Sequence, residues 1–363
     1  MNVRRKTPLC LLALAMIGAA FTSLALAQDS NYQVSQPRFV TLPVHPQPNK
    51  PPAGSQLVQW NGSFKDLTGV TRTFTMVGTD PSQSNAPTVI PVFIIPIKMV
   101  YGQSNGNKTF DPMSKLPNGQ KVVNNVASSP VFNRGVNFTQ GGVNVGTTQY
   151  IDAFQRANFW SSVQTNTNYH VYLSKPKLLP EQTINVSPSD GSVTTEFGKT
   201  VGTMDIFSFD SQLQTFLSKF SQQITPKTLP IFLTYDVYLT EGGCCVGGYH
   251  SANGFQPSGQ TYSYSTTIDQ GSGVFSQDVA ALTHEIGEWM DDPFVDNRVG
   301  CQDNSILEVG DPLVLHDFPY ALHGFTYHLQ SMVFLPYFGA DKNTSVNSWY
   351  SFQNDESHVC PGQ

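Results

Sequence analysis

The sequence predicts an α+β fold: a mixed sheet, a few helices and a loop-rich C-terminal part. Three observations carry that expectation. Apolar runs of strand type stand at residues 71–77, 89–100, 229–239 and 261–268. Residues 208–223 and 276–291 repeat apolar side chains at helical spacing. The local order there is helix, strand, loop, strand, helix, and no internal repeat interrupts it.

The elements follow in chain order. Arg4, Arg5 and Lys6 precede a mostly apolar stretch, and Ala25-Leu26-Ala27 stands before Gln28. This reads as a signal peptide over residues 1–27, so the protein is expected to be secreted or periplasmic. No other stretch approaches the roughly 20 apolar residues a membrane span needs. Residues 28–55 carry Pro37, Pro43, Pro46, Pro48, Pro51 and Pro52 and read as an extended arm or linker. Residues 56–291 read as a mixed α+β catalytic-type domain, and 292–363 as the part that completes its site.

Within that domain, residues 71–77 alternate as a strand does. Pro91 and Pro96 suggest that the 89–100 run is an edge or bulged strand. Residues 105–147 are rich in Asn, Gly and Ser, as loops with short strands are, and 149–160 fit a helix. Leu213, Phe216, Leu217 and Phe220 mark the helix at 208–223, with Pro226 beyond it. Residues 241–259 read as a glycine-rich loop holding Cys244, Cys245 and His250. Residues 261–268 alternate aromatic and small polar side chains, as a half-exposed strand does. Ser276 is the expected N-cap of the last helix, with Asp278 in its first turn and Pro293 past its end.

Composition excludes several functions. With 39% hydrophobic, 12% aromatic and only 13% charged residues, the 363-residue chain is not of disordered type. Its net charge is −6 and no basic run lies beyond the leader, which argues against nucleic acid and anionic membranes as partners. Cys244, Cys245, Cys301 and Cys360 are an even set suited to an oxidising compartment. A bond between neighbours strains the peptide joining them, so Cys244 and Cys245 are expected to pair with Cys301 and Cys360. A thiolate metal site is the rival reading, although the spacing is not that of a zinc knuckle.

The chemistry concentrates in Thr283-His284-Glu285-Ile286-Gly287-Glu288-Trp289. His284 and Glu288 are four apart and share one helix face. Val279, Leu282, Ile286 and Trp289 fall on another side and can bury. An imidazole and a carboxylate so placed suit Zn²⁺, which takes both at about 2.0–2.2 Å. Glu285 is then placed to take a proton from a water on the metal, the logic of H-E-x-x-H sites with Glu as the second ligand. The bland alternative is a solvated helix face, against which Gly287 argues, since a mid-helix glycine suggests close approach. Glu308 is the expected third ligand, with Asp311 orienting an imidazole or competing as a ligand alongside His316, His323 and His328.

Here the residues reach a resemblance. The stretch resembles zincin metallopeptidases of the gluzincin type, in which a glutamate about this far downstream completes the zinc site. It is also similar to secreted bacterial proteins with H-E-[hydrophobic]-[A/G]-E, then D-P, then E-x-G-D, themselves distantly similar to the EXORDIUM or phosphate-induced proteins of plants. The matching residues are Gly247-Gly248-Tyr249-His250-Ser251-Ala252, 284–293 and 308–312, about a fifth of the chain. Glu288 departs from the usual second zinc histidine and makes the site more anionic.

The resemblance implies a zincin-like fold in which residues 261–268 are an edge strand above the metal. An extended peptide or protein substrate would add to that edge. The water's pKa would fall towards about 7, and Glu285 would carry its proton to the leaving amine. His250, His323, Tyr327 and His328 are candidates to stabilise the oxyanion. Two other functions remain open: a non-catalytic extracellular binding protein with a structural metal, and a Ca²⁺-stabilised domain using Asp291, Asp292, Asp296 and Asp303.

Overall fold

The longest apolar run forms an inner strand of a mixed sheet. In the computed structural model of the chain, the described residues are 38–46, 55–269, 275–301 and 305–363. The expected leader, residues 28–37 and 47–54 of the arm, and Asp303 lie outside them. Strand β1 (Val92–Tyr101) pairs with β2 (Gln182–Val186) on one side and β3 (Leu229–Tyr235) on the other. β4 (Gly248–Asn253) and β5 (Gln260–Thr267) extend the sheet, in the order β2-β1-β3-β5-β4. All neighbours run parallel except β4, which is antiparallel to β5.

Three helices cover this sheet: α1 (Tyr150–Asn158), α2 (Ile206–Lys219) and α3 (Ala280–Asp291). On one face, Ile206, Phe209 and Leu213 of α2 pack with Ile95, Ile97, Met99, Tyr262 and Tyr264. On the other, Phe154 of α1 and Leu282, Ile286 and Met290 of α3 pack with Ile94, Ile231 and Leu233. The C-terminal residues add a hairpin, β6 (Asp317–Leu322) and β7 (Phe325–Gln330), and several 3-10 turns. Leu307, Val309, Met332 and Phe334 join the α3 side of the core. The architecture is therefore mixed α+β, as expected.

Several expectations are corrected. β1 is not an edge strand. Pro96 is tolerated because it stands where β1 changes partners, from β3 to the short strand Lys108–Phe110 and from Lys177–Leu178 to β2. The 229–239 run breaks at Asp236, which has φ 54°, and Val237–Thr240 enters another sheet. Residues 241–259 are not all loop: they hold the strand Cys244–Val246 and β4. β5 is neither half-exposed nor an edge, since β3 and β4 flank it. Its alternation has a different cause: Tyr262 and Tyr264 fill the α2 side, while Thr261, Ser263 and Ser265 stay small where α3 comes close. Trp289 Nε1–H donates to Thr261 Oγ1 at 2.9 Å across that contact.

The start of α3 also differs. Val279 is the N-cap residue, and Ser276 instead bonds the Tyr238 hydroxyl. Gln277 bridges to Ile268 as a strand would, so the helix cannot begin there. The alternative of a solvated helix face falls away: every residue of α3 is buried. Gly287 is needed because a Cβ there would lie 2.1 Å from Met332 Sδ.

The disulfides are Cys301–Cys360 and Cys244–Cys245, not the crossed pairs expected. The Cα atoms of Cys301 and Cys360 stand 5.6 Å apart, within the usual span. With Cys301 taken by the C-terminal tail, the adjacent pair is left to close on itself.

Candidate metal centre

Three segments carry acidic and imidazole side chains into two buried groups that share Glu288. α3 supplies His284, Glu285 and Glu288, one turn brought together by the i, i+4 spacing. β4 supplies His250 from the sheet beside it. The segment after α3 supplies Glu308 and is pinned on both sides: Leu307 N–H donates to Asn297 O (3.0 Å) and Val333 N–H to Val309 O (2.9 Å). Two glycines allow the approach. A Cβ on Gly248 would sit 2.6 Å from Glu285 Cγ, and one on Gly310 would sit 2.4 Å from His284 Nδ1.

The hydrogen bonds assign the imidazole protons. His284 Nδ1 lies 3.0 Å from Gln330 Oε1, so Nδ1 donates and Nε2 carries the lone pair. His250 Nε2 lies 3.0 Å from Asp292 O, so its lone pair is on Nδ1. Burial lowers both pKa values to about 4, which keeps both rings neutral near pH 7.

Each lone pair faces carboxylate oxygens. His284 Nε2 is 3.0 Å from Glu288 Oε1; His250 Nδ1 is 3.5 Å from Glu285 Oε2 and 3.9 Å from Glu288 Oε2. Acceptors turned towards acceptors repel unless a positive charge stands between them. Two atoms bound about 2.1 Å from one tetrahedral ion would be roughly 3.4 Å apart, within the range of these spacings.

The carboxyls tell the same story. Burial, then mutual repulsion, pushes Glu285 and Glu308 well above the usual range, and burial with Asp311 nearby does so for Glu288. His284 Nε2, His250 Nδ1, both oxygens of Glu285 and Glu308 Oε2 are buried without a hydrogen-bond partner. The potential ligand atoms of His250, Glu288 and Glu308 lie within 4.8 Å of one another, as do those of His284, Glu285 and Glu288. This set fits a divalent cation, whose charge would replace the protons the carboxyls otherwise hold.

The other predicted residues fall elsewhere. Asp311 Oδ1 is 3.7 Å from His284 Nε2, on the lone-pair side, so it does not orient the ring through its N–H. Gln330 does that, and its Nε2 donates to Gly310 O at 2.7 Å. The Tyr327 hydroxyl donates to Asn125 O at 3.0 Å. His328 Nδ1 pairs with Asp278 Oδ2 at 2.6 Å. His316 and His323 are exposed. The described aspartates of the calcium reading disperse: Asp291 accepts from Gln155, Asp292 from the Asp296 and Asn297 N–H groups, and Asp296 is exposed.

Sequence reasoning missed Gln330, Phe39 and Thr41. Phe39 stacks on the His284 ring, with centroids 3.5 Å apart, and Thr41 Oγ1 donates to Glu308 Oε1 at 3.3 Å. No local pattern marks a single glutamine so far downstream, and the proline-rich arm gave no sign of folding back. Comparison with family models, curated proteins and solved structures finds no match to this chain.

Proposed function

We propose that the chain is a secreted, metal-dependent peptidase of zincin-like fold, with zinc as the expected ion and a peptide or protein as substrate. The observation that carries this reading is the set of unpartnered lone pairs of His250, His284, Glu285 and Glu308 in two buried groups that share Glu288. His284, Glu288 and Glu308 would hold the ion, and His250 joins them. When bound, the metal supplies a Lewis acid that polarises the scissile carbonyl and makes water acidic enough to deprotonate near neutral pH. Glu285 takes the attacking water's proton and returns it to the leaving amine. Its carboxyl is buried and close to the ligands, and Gly248 leaves it room. Asp311 borders the ligand side of His284 and adds negative charge. Tyr327 and His328 have other partners, which leaves the oxyanion role unassigned.

The complete burial of the ligands also favours the second reading, a binding protein with a structural metal. Glu285 separates the two. Glu285→Gln is expected to keep the metal and the fold while turnover of unfolded casein falls at least about 100-fold. Glu308→Ala is expected to lose both metal and activity. Metal analysis beside the casein assay reads both variants. A fully active Glu285→Gln would sink the hydrolytic mechanism, and full metal in Glu308→Ala would remove Glu308 from the ligands.

A further inference from the structure

Residues 38–46 lie along β4, the free edge of the sheet beside α3. Arg38 N–H donates to Cys245 O and Gly247 N–H to Arg38 O, both at 3.1 Å. At the other end, His45 N–H donates to Ala252 O and Gly254 N–H to His45 O, both at 2.8 Å. Between them, Ser251 Oγ–H donates to Leu42 O at 3.2 Å. The segment thus runs parallel to this edge and is bridged at its two ends, Arg38 to Val246 just before β4 and His45 to Asn253 of β4.

Its side chains alternate over residues 39–42. Phe39 packs with Phe275 and Ala281 of α3, while Leu42 packs with the α2-side core. The Phe39 ring lies 19° from parallel to the imidazole of His284 and is only 7% exposed. Thr41 bonds Glu308 one pleat further on. His45 anchors the end of the segment, with Nε2 2.7 Å from Asp210 Oδ2. An open sheet edge accepts an extended peptide through its backbone groups. Here the chain itself fills that edge and covers two of the ligand residues.

We propose that residues 38–46 are a built-in blocker, seated in the cleft where an extended substrate would add to β4. The proposal rests on the peptidase reading. The protein turns over substrate only when this segment is displaced. The vacated cleft takes an extended polypeptide with an aromatic side chain over His284 and an apolar one in the Leu42 position.

The test uses the full chain loaded with zinc, in three forms: wild type, Phe39→Ser/Leu42→Ser, and Phe39→Ala. The milder Phe39→Ala keeps the backbone pairing and removes only the ring over His284. Amide hydrogen exchange of residues 248–253, binding of a fluorescent peptide of residues 38–46, and casein cleavage are measured together. The wild type should show protected β4 amides, no peptide binding and slow cleavage. The double variant should exchange faster, bind the peptide and cleave at least tenfold faster, with unlabelled peptide inhibiting. Phe39→Ala should also raise cleavage.

If the freed cleft binds peptide but no form cleaves, the peptidase reading fails while the segment's place in the cleft stands. If neither variant binds the peptide, or the wild type cleaves as fast as both variants, the blocker is overturned.

Discussion

At the scale of single residues, the site depends on which nitrogen of each histidine keeps its proton. Gln330 decides this for His284 by accepting from Nδ1, and the Asp292 carbonyl decides it for His250. Gln330 is itself locked: its N–H donates to Thr283 Oγ1 at 3.0 Å and its amide to Gly310 O. An imidazole held this way offers its lone pair without first rotating. Removing such a partner typically costs 10–100-fold in metal affinity. Gln330→Ala is therefore expected to weaken zinc binding by roughly that factor, with His284 still present. Competition against a coloured chelator measures it. Unchanged affinity would separate Gln330 from the function of the site.

At the scale of elements, α3 was legible because its motif and its period agree. His284, Glu285 and Glu288 lie together, and Glu288 also groups with Glu308 and His250. The surroundings were less legible, for physical reasons. Alternation in β5 reads the same whether the small residues face water or a close-packed helix. His250 sits among glycines that imply a loop, yet those glycines serve close packing within a strand. β4 owes its role to a segment some two hundred residues earlier, a separation no local pattern encodes.

α3 also carries a pH-sensitive end. Asp291 is buried, accepts a hydrogen bond from Gln155, and is pushed up by burial to about 7. An unfolded aspartate titrates near 4. Between about pH 4 and 7 the folded state therefore holds more protons, and this group makes stability fall as pH rises. Asp291→Asn removes the effect while keeping an acceptor for Gln155. The variant should match wild type near pH 4 and exceed it at pH 8 by on the order of 4 kcal/mol. Urea unfolding at both pH values checks this, and an equal difference at the two would refute it.

At the scale of the whole molecule, the candidate centre sits where three parts meet: the sheet, α3 and the C-terminal segments. α3 is buried on all sides because residues beyond 305 close over it where the sheet and Phe39 do not, with Met332 against Gly287 and Gly310 against His284. The candidate ligand set would then be completed by chain that must be held in place after the helix ends. Cys301–Cys360 does this by fastening the start of that chain to its tail, closing a loop of 59 residues. Chain entropy alone makes such a closure worth about 4 kcal/mol. Cys301→Ser/Cys360→Ser should lower stability by roughly that amount.

The second consequence is local to the site. Cys301 lies just before Glu308, so the loosened segment should present Glu308 less firmly, and zinc should raise the unfolding midpoint less than in wild type. Thermal unfolding with and without zinc separates the two effects. A midpoint equal to wild type in the metal-free protein would refute the first, and an undiminished zinc-induced shift the second.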